Sequence, residues 1–317
     1  MELREFGNSG LQVSALAYGA MTIAYDPGIR DGVVPSLLRA LEQGVTLIDT
    51  ARVYPDSEAL IASTLRAWQG PRPLLSTKLR PSSRETFRFH RPLAEAYTAQ
   101  SIRTSVEESL RALQVERLDI VHLHQWHYLW THDRAWFDAL QELKTAGKIR
   151  CIAISAQDHE HDAALEAVSQ KLVDGVQVIF NLFESRPMSA LLPLAQARGV
   201  GVIARCVYDS GGLCDALSAQ EFVARPFLKH APYAQYRERL DELRRRFIPA
   251  EAASIAELAL RFVLSVPGVS TATLGMPDVS LVDAALTSAR RGPLSADAVT
   301  AIRREHVWTR NFYERLL

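Results

Sequence analysis

Short apolar runs rich in Val, Ile and Leu recur along the chain: ALAYG at 15–19, TLIDTA at 46–51, PLLSTK at 73–78 and LDIVHLHQ at 118–125. RCIAISA at 150–156, GVQVIFN at 175–181, VGVIARC at 200–206 and STATLG at 270–275 continue the series. Several are nearly continuous in apolar residues, the pattern of parallel strands buried on both faces. Between them, 34–44, 57–68, 101–114 and 133–147 carry apolar residues at helical spacing, the last ending in a glycine. Eight strand and helix units predict a closed (β/α)8 barrel, a single domain over residues 1–317. An open doubly wound sheet is the competing architecture, but no GxGxxG follows the first strand, and no Pro/Gly/Ser-rich linker marks a second domain.

Three segments exceed the minimal barrel. LREFGNSGLQVS at the N-terminus reads as a hairpin around Asn8, Ser9 and Gly10 that closes the barrel bottom. Residues 79–97 and 207–232 are long connections leaving strand C-terminal ends, the face on which barrel active sites lie. Together with QWHYLW at 125–130, and with Tyr25 beyond the first apolar run, they supply the candidate walls of a pocket for a bulky or ring-bearing substrate: Tyr25, Phe87, Phe89, Trp126 and Tyr128.

Composition excludes some classes. Of 317 residues, 48% are hydrophobic and 23% charged, which supports a large core and is too apolar for a disordered chain. Lys+Arg and Asp+Glu both total 36, so no net field favours nucleic acid or an anionic membrane. No signal-peptide core and no run near the roughly 18 apolar residues needed to span a bilayer is present. A cytoplasmic protein with neither nucleic acid nor membrane as partner is expected. Cys151, Cys206 and Cys214 are odd in number and lack CxxC spacing, so reduced thiols are expected.

The informative polar residues lie at or just beyond strand ends. Asp49 ends LIDTA, Tyr54 follows in a turn, Lys78 ends LLSTK, and His124 ends DIVHLHQ. Burial penalises the charge of a strand-end lysine, so an acidic partner is expected, and Asp49 on the adjacent strand supplies one. A Lys–Asp pair beside a tyrosine would lower the phenol's pKa and make it a usable general acid.

These residues also carry a resemblance. GVTLIDTARVYPDSE resembles the DTA-x-x-Y-G-x-SE signature of the aldo-keto reductase superfamily. LLSTK, SVEESLRALQVERLDIVHLH, TAGKIRCIAIS and VQVIFN resemble its further blocks, in the same order. The resemblance implies a (β/α)8 barrel, NADPH or NADH, and reversible reduction of a small-molecule carbonyl, with Asp49, Tyr54, Lys78 and His124 as the catalytic tetrad. It further implies that Tyr54 protonates the carbonyl oxygen, that Lys78 and Asp49 tune Tyr54, and that His124 orients substrate or relays the proton. Ser155 and Gln177 match positions that hydrogen-bond the nicotinamide carboxamide. Gly19, Ala20 and Met21 leave the first strand beside the substrate, and Gly275, Met276 and Asp278 follow the last one. No oligomeric state is implied.

Departures from the pattern sharpen the expectations. Ala156 replaces an Asn after Ser155, removing one amide donor, and Arg205 stands where many members place an aromatic ring, though its planar guanidinium can also stack. GMPDVSLVDAALTSARR follows the last strand, so Asp278, Leu281 and Ala285 occupy the region where a basic residue usually meets the adenosine 2′-phosphate. NADH use, weak cofactor binding or lost cofactor binding would each explain this. The last keeps an alternative in view, a lyase, dehydratase or isomerase that uses the tetrad for proton transfer without net redox. His122 and His124 are two apart on a strand and could seat a metal, but no convergent carboxylate accompanies them. A packed inner-wall histidine and no metal are expected. DHEHD at 158–162 reads as a solvated run leading into a helix.

Overall fold

The computed structural model describes residues 1–25, 30–83, 90–215, 217–225, 228 and 231–308. Two short strands, β1 (Leu3–Glu5) and β2 (Gln12–Ser14), form an antiparallel hairpin. Eight parallel strands then close a barrel: β3 (Leu16–Gly19), β4 (Leu47–Asp49), β5 (Leu74–Leu79), β6 (Leu118–Trp126), β7 (Ile149–Ala156), β8 (Gly175–Ile179), β9 (Gly201–Arg205) and β10 (Thr271–Leu274), with β10 pairing back onto β3. Each predicted apolar run became one barrel strand, as expected where every strand is covered by helices outside and by side chains inside.

The first helices are α1 (Met21–Tyr25), α2 (Arg30–Glu42), α3 (Ser57–Ala67), α4 (Leu93–Ala96), α5 (Ala99–Leu113) and α6 (Ala135–Thr145). They are followed by α7 (Leu165–Ser169), α8 (Leu191–Arg198), α9 (Ala219–Ala224), α10 (Tyr233–Phe247), α11 (Ile255–Ser265), α12 (Val279–Arg290) and α13 (Ala296–Glu305). The helix expected from residue 34 begins at Arg30 and runs through Pro35, whose missing N–H forfeits one bond near the helix start. α5 starts at a capping box in which Thr98 accepts from Ser101 N while Ser101 Oγ accepts from Thr98 N, satisfying two orphan donors. No helix among the described residues is long and apolar enough to cross a membrane.

Apolar residues form two separate layers. The larger lies between the strands and the helices. The smaller fills the barrel floor with Phe6, Leu11, Val13, Ala17, Leu47, Ile120, Cys151, Ala153 and Ile203. Phe6, at the hairpin bend, plugs this floor: Cβ atoms on Gly175 or Gly201 would fall 2.5 Å from its ring, so only glycine admits the ring at these two strand starts. The hairpin therefore closes the bottom, as its sequence suggested. Phe6→Ala is expected to cost about 3–5 kcal/mol of stability by denaturant unfolding. A loss under about 1 kcal/mol would mean that the hairpin does not hold the floor.

Candidate active site

With the floor sealed by apolar side chains, the polar inward-facing residues collect at the other end of the strands. Asp49, the last residue of β4, is 5% exposed and faces Lys78 of β5, which is 2% exposed. Lys78 Nζ donates to Asp49 Oδ2 at 2.7 Å and to the Thr50 carbonyl at 2.8 Å. Burial by itself would push the Asp49 carboxyl up. The charge of Lys78, the His122 ring and the bonds from Lys78 and Ser76 outweigh it and hold the carboxyl below the usual range. Burial pulls the Lys78 ammonium down, Asp49 opposes it, and Arg205 adds to the lowering. The pair expected from the strand ends is thus present and desolvated.

Tyr54 reaches this pair from the turn between β4 and α3. The turn is pinned by a Thr50 to Ser57 hydroxyl contact of 2.6 Å and by Tyr54 N donating to the Ala51 carbonyl at 3.0 Å. Half-buried, the Tyr54 ring lies 5.5 Å from Lys78 Nζ. Its edge meets the His124 ring at a centroid distance of 5.9 Å and an interplanar angle of 88°. Burial first, then the charges of Lys78 and Arg205, push the His124 imidazole well below its ordinary pKa, so it is neutral near pH 7. Four residues from three strand ends and one turn therefore surround one spot: a desolvated ion pair, a phenol and a neutral imidazole.

Two further side chains complete this centre, one that the sequence did not single out and one expected elsewhere. Ser76 precedes Lys78 by two positions on β5 and shares its inward face; its hydroxyl donates to Asp49 Oδ1 at 2.8 Å. Gln177 was expected to meet a cofactor amide, yet its Nε2 donates to Asp49 Oδ2 at 3.0 Å. The two-residue period could have found Ser76. The Gln177 contact could not be read that way, because it crosses the barrel interior from β8 to β4.

The outer candidates divide. Ser155 and Gln177 are register partners on β7 and β8. Arg205 ends β9 and is clamped by the Ala156 carbonyl at 3.0 Å and by Asp158 Oδ1 at 2.8 Å. Burial would lower its pKa, but Cys206 and Asp158 more than reverse this. Its Nε is buried with no partner among the described residues. That orphaned donor on a planar cation, next to the Ser155–Gln177 pair, fits a flat amide-bearing ring such as nicotinamide. Gly19 ends β3 and Ala20 N donates to the Asp49 carbonyl at 2.8 Å, while Met21 is exposed. A Cβ on Gly19 would lie 2.9 Å from Thr273 Oγ1, so this glycine lets β10 approach. Gly275 is exposed and Met276 buried. Asp278 caps α12, accepting from Leu281 N at 3.0 Å and from Ser280 Oγ at 2.6 Å, and these bonds hold its carboxyl below the usual range.

The pocket-wall expectations need one correction. Trp126 is fully buried, packs against Trp130 and Trp136, and donates its Nε1 to the Ala163 carbonyl at 2.8 Å. It presents no surface to a ligand. Strict alternation after His122 and His124 would aim Trp126 inward, but the β6–β7 register slips between Leu123 and Trp126, and the extra residue turns the indole outward. Tyr128 is 56% exposed on the rim. Phe87 and Phe89, and the side chain of Tyr25, lie outside the described residues.

DHEHD is less solvated than its charge suggested. His161 is buried, and His159 Nδ1 meets Glu184 Oε2 at 2.7 Å, tying the loop after β7 to the loop after β8. No group of three or more His, Cys, Asp or Glu among the described residues could hold a metal ion.

Comparison with known proteins identifies the family and the fold. A family model described as "Aldo/keto reductase family" matches residues 15–305. L-galactose dehydrogenase of Arabidopsis thaliana is 29% identical over 293 residues, covering 89% of this chain and 86% of that protein. Aldo-keto reductase YhdN of Bacillus subtilis is 25% identical over 293 residues, covering 87% of this chain and 85% of its own. In fold, the holo form of an aldo-keto reductase from Bacillus halodurans superposes with a TM-score of 0.79 over 99% of each chain, at 24% identity.

Proposed function

The chain belongs to the aldo/keto reductase family, and from that membership we propose that it interconverts a small-molecule carbonyl and its alcohol with a nicotinamide cofactor, Tyr54 being the proton donor. The observation that carries this reading is the buried Lys78–Asp49 pair set 5.5 Å from the Tyr54 ring. Reduced nicotinamide, when bound, supplies hydride to the carbonyl carbon. Tyr54 releases its phenolic proton to the carbonyl oxygen as negative charge develops there. Lys78 stands beside the phenolate left behind, and Asp49 keeps Lys78 in place by a charge-assisted bond. His124, neutral and edge-on to Tyr54, orients the oxygen by hydrogen bonding. Ser155, Gln177 and Arg205 would hold the nicotinamide end. Neither relative named above is a lyase or isomerase, so the comparisons give the redox-silent alternative no support. The test is carbonyl-dependent oxidation of NADH or NADPH by purified protein, with hydroxylated aldehydes as first substrates because L-galactose dehydrogenase is among the relatives. Consumption of neither cofactor with any aldehyde or ketone would reject the reading.

NADPH is expected to bind no tighter than NADH. The segment 275–285 carries no basic residue, Leu281 is exposed, and the Asp278 carboxylate already occupies the amides at the start of α12. A 2′-phosphate would meet a like charge where it needs a cation. Fluorescence titration measures both dissociation constants. A value for NADPH more than ~10-fold below that for NADH, or ~1.4 kcal/mol, would contradict the expectation.

A further inference from the structure

Below Lys78, the inner wall carries a polar side chain that the tetrad does not use. His122 of β6 is fully buried and lies beside Lys78 in register. Its Nε2 is 2.9 Å from Ser76 Oγ, which is itself 2.8 Å from Asp49 Oδ1. The direction of these bonds follows from counting protons. Asp49 is ionised and can only accept, so the single hydroxyl proton of Ser76 goes to Oδ1. The bond between Ser76 and His122 must then be donated by the ring.

We propose that His122 is a positioning residue for the acid–base centre, its Nε2–H donating to Ser76 Oγ and the Ser76 hydroxyl donating on to Asp49, so that Asp49 keeps Oδ2 turned to Lys78. The proposal rests on the reading of Tyr54, Lys78 and Asp49 given above. A carboxylate held at one oxygen cannot rotate away from its partner at the other, and here Oδ1 is tied by Ser76 while Oδ2 receives Lys78 and Gln177. The groups facing Asp49 are therefore Ser76 and Lys78 from β5, His122 from β6 and Gln177 from β8. Burial, and then the charge of Lys78, lower the His122 pKa to about 4. The ring is neutral under ordinary conditions, so the relay polarises Asp49 without bringing a second cation toward Lys78.

His122→Leu and Ser76→Ala each break the relay, whereas His122→Gln retains an N–H that can donate to Ser76. In His122→Leu and Ser76→Ala, kcat for carbonyl reduction is expected to fall ~10-fold with KM little changed. The acid limb of the kcat/KM profile should move up by about one pH unit, because Asp49 loses the Ser76 donor outright in Ser76→Ala, and in His122→Leu that donor loses the ring N–H that aims and polarises it. His122→Gln should restore both. A packing role alone would lower stability without moving the limb, so an unshifted profile in His122→Leu, or a Gln variant no better than Leu, overturns the proposal. Long-range 1H–15N spectra of the wild-type protein give a readout that needs no turnover. A neutral His122 protonated at Nε2 supports the relay, and one protonated at Nδ1 overturns it. Should the protein reduce no carbonyl, the functional reading falls while the tautomer still decides the relay.

Discussion

Tyr54→Phe is expected to lower kcat/KM for carbonyl reduction by roughly 10²- to 10⁴-fold, the range over which general acid catalysis acts. The substitution removes one hydroxyl and keeps the ring, so the edge contact with His124 and the approach of Lys78 Nζ survive. Stability should change by no more than about 0.5 kcal/mol, as for a part-exposed site with its packing retained. No neighbour can take over. Lys78 is committed to Asp49 and to the Thr50 carbonyl, and His124, neutral and half-buried, is a far weaker acid than an imidazolium. Steady-state kinetics with matched unfolding curves provide the check. If Tyr54→Phe keeps near-normal turnover while a His124 variant loses it, the proton comes from His124 and the assignment fails.

Lys78→Met is expected to damage both stability and rate. It leaves Asp49 buried without its counter-charge, a change that typically costs about 3–5 kcal/mol. It also deprives the Tyr54 phenolate of the neighbouring cation. Adding Asp49→Asn should recover part of the stability, because a neutral amide is cheaper to bury. Recovery is partial because the amide nitrogen that replaces one carboxylate oxygen meets donors from Ser76 or Gln177. No rate should return, since Tyr54 still lacks its cation. A double-mutant cycle with additive stability losses, or wild-type activity in Lys78→Met, would show that the two residues do not act as a pair.

The pH dependence of stability offers a second readout of the same pair. In the wild type the Asp49 carboxyl lies below its ordinary value. Its contribution is therefore present above about pH 4 and is lost as pH falls through the folded-state pKa. In Lys78→Met, burial is no longer opposed by the ammonium and the Asp49 pKa rises above the unfolded value. Protonation then relieves the buried charge, so the variant gains stability as pH falls from about 7 toward 4. Denaturant titrations at several pH values are expected to show the variant gaining stability relative to wild type between about pH 7 and 4 and the wild type alone losing this contribution below about pH 4, and parallel curves would argue against the pair.

The sequence by itself determined the barrel and the residues that end its strands. Apolar runs long enough for one strand, spaced by helical stretches, admit few ways to bury both faces. Inside a barrel, a polar residue at a strand end is forced toward the rim. Asp49, Lys78 and His124 were therefore legible as a converging set, as was the hairpin around Asn8, Ser9 and Gly10 as the floor, although Phe6 as its plug was not.

What the tertiary structure decided was lateral pairing. Gln177 meets Asp49 across the barrel interior, and His122 meets Ser76 on the neighbouring strand, because ring closure brought β8 and β4 within reach and register fixed the levels. Period-2 reasoning sees only one strand at a time. Trp126, expected in a pocket wall from its place beyond His124, turned outward because β6 carries one extra residue there, a slip that no residue in QWHYLW announces. Asp278, by contrast, was placed just after the last strand from sequence, where the structure starts α12. That its carboxylate is spent on the amides of that helix depended on backbone geometry, which aims the Leu281 N–H at Oδ1.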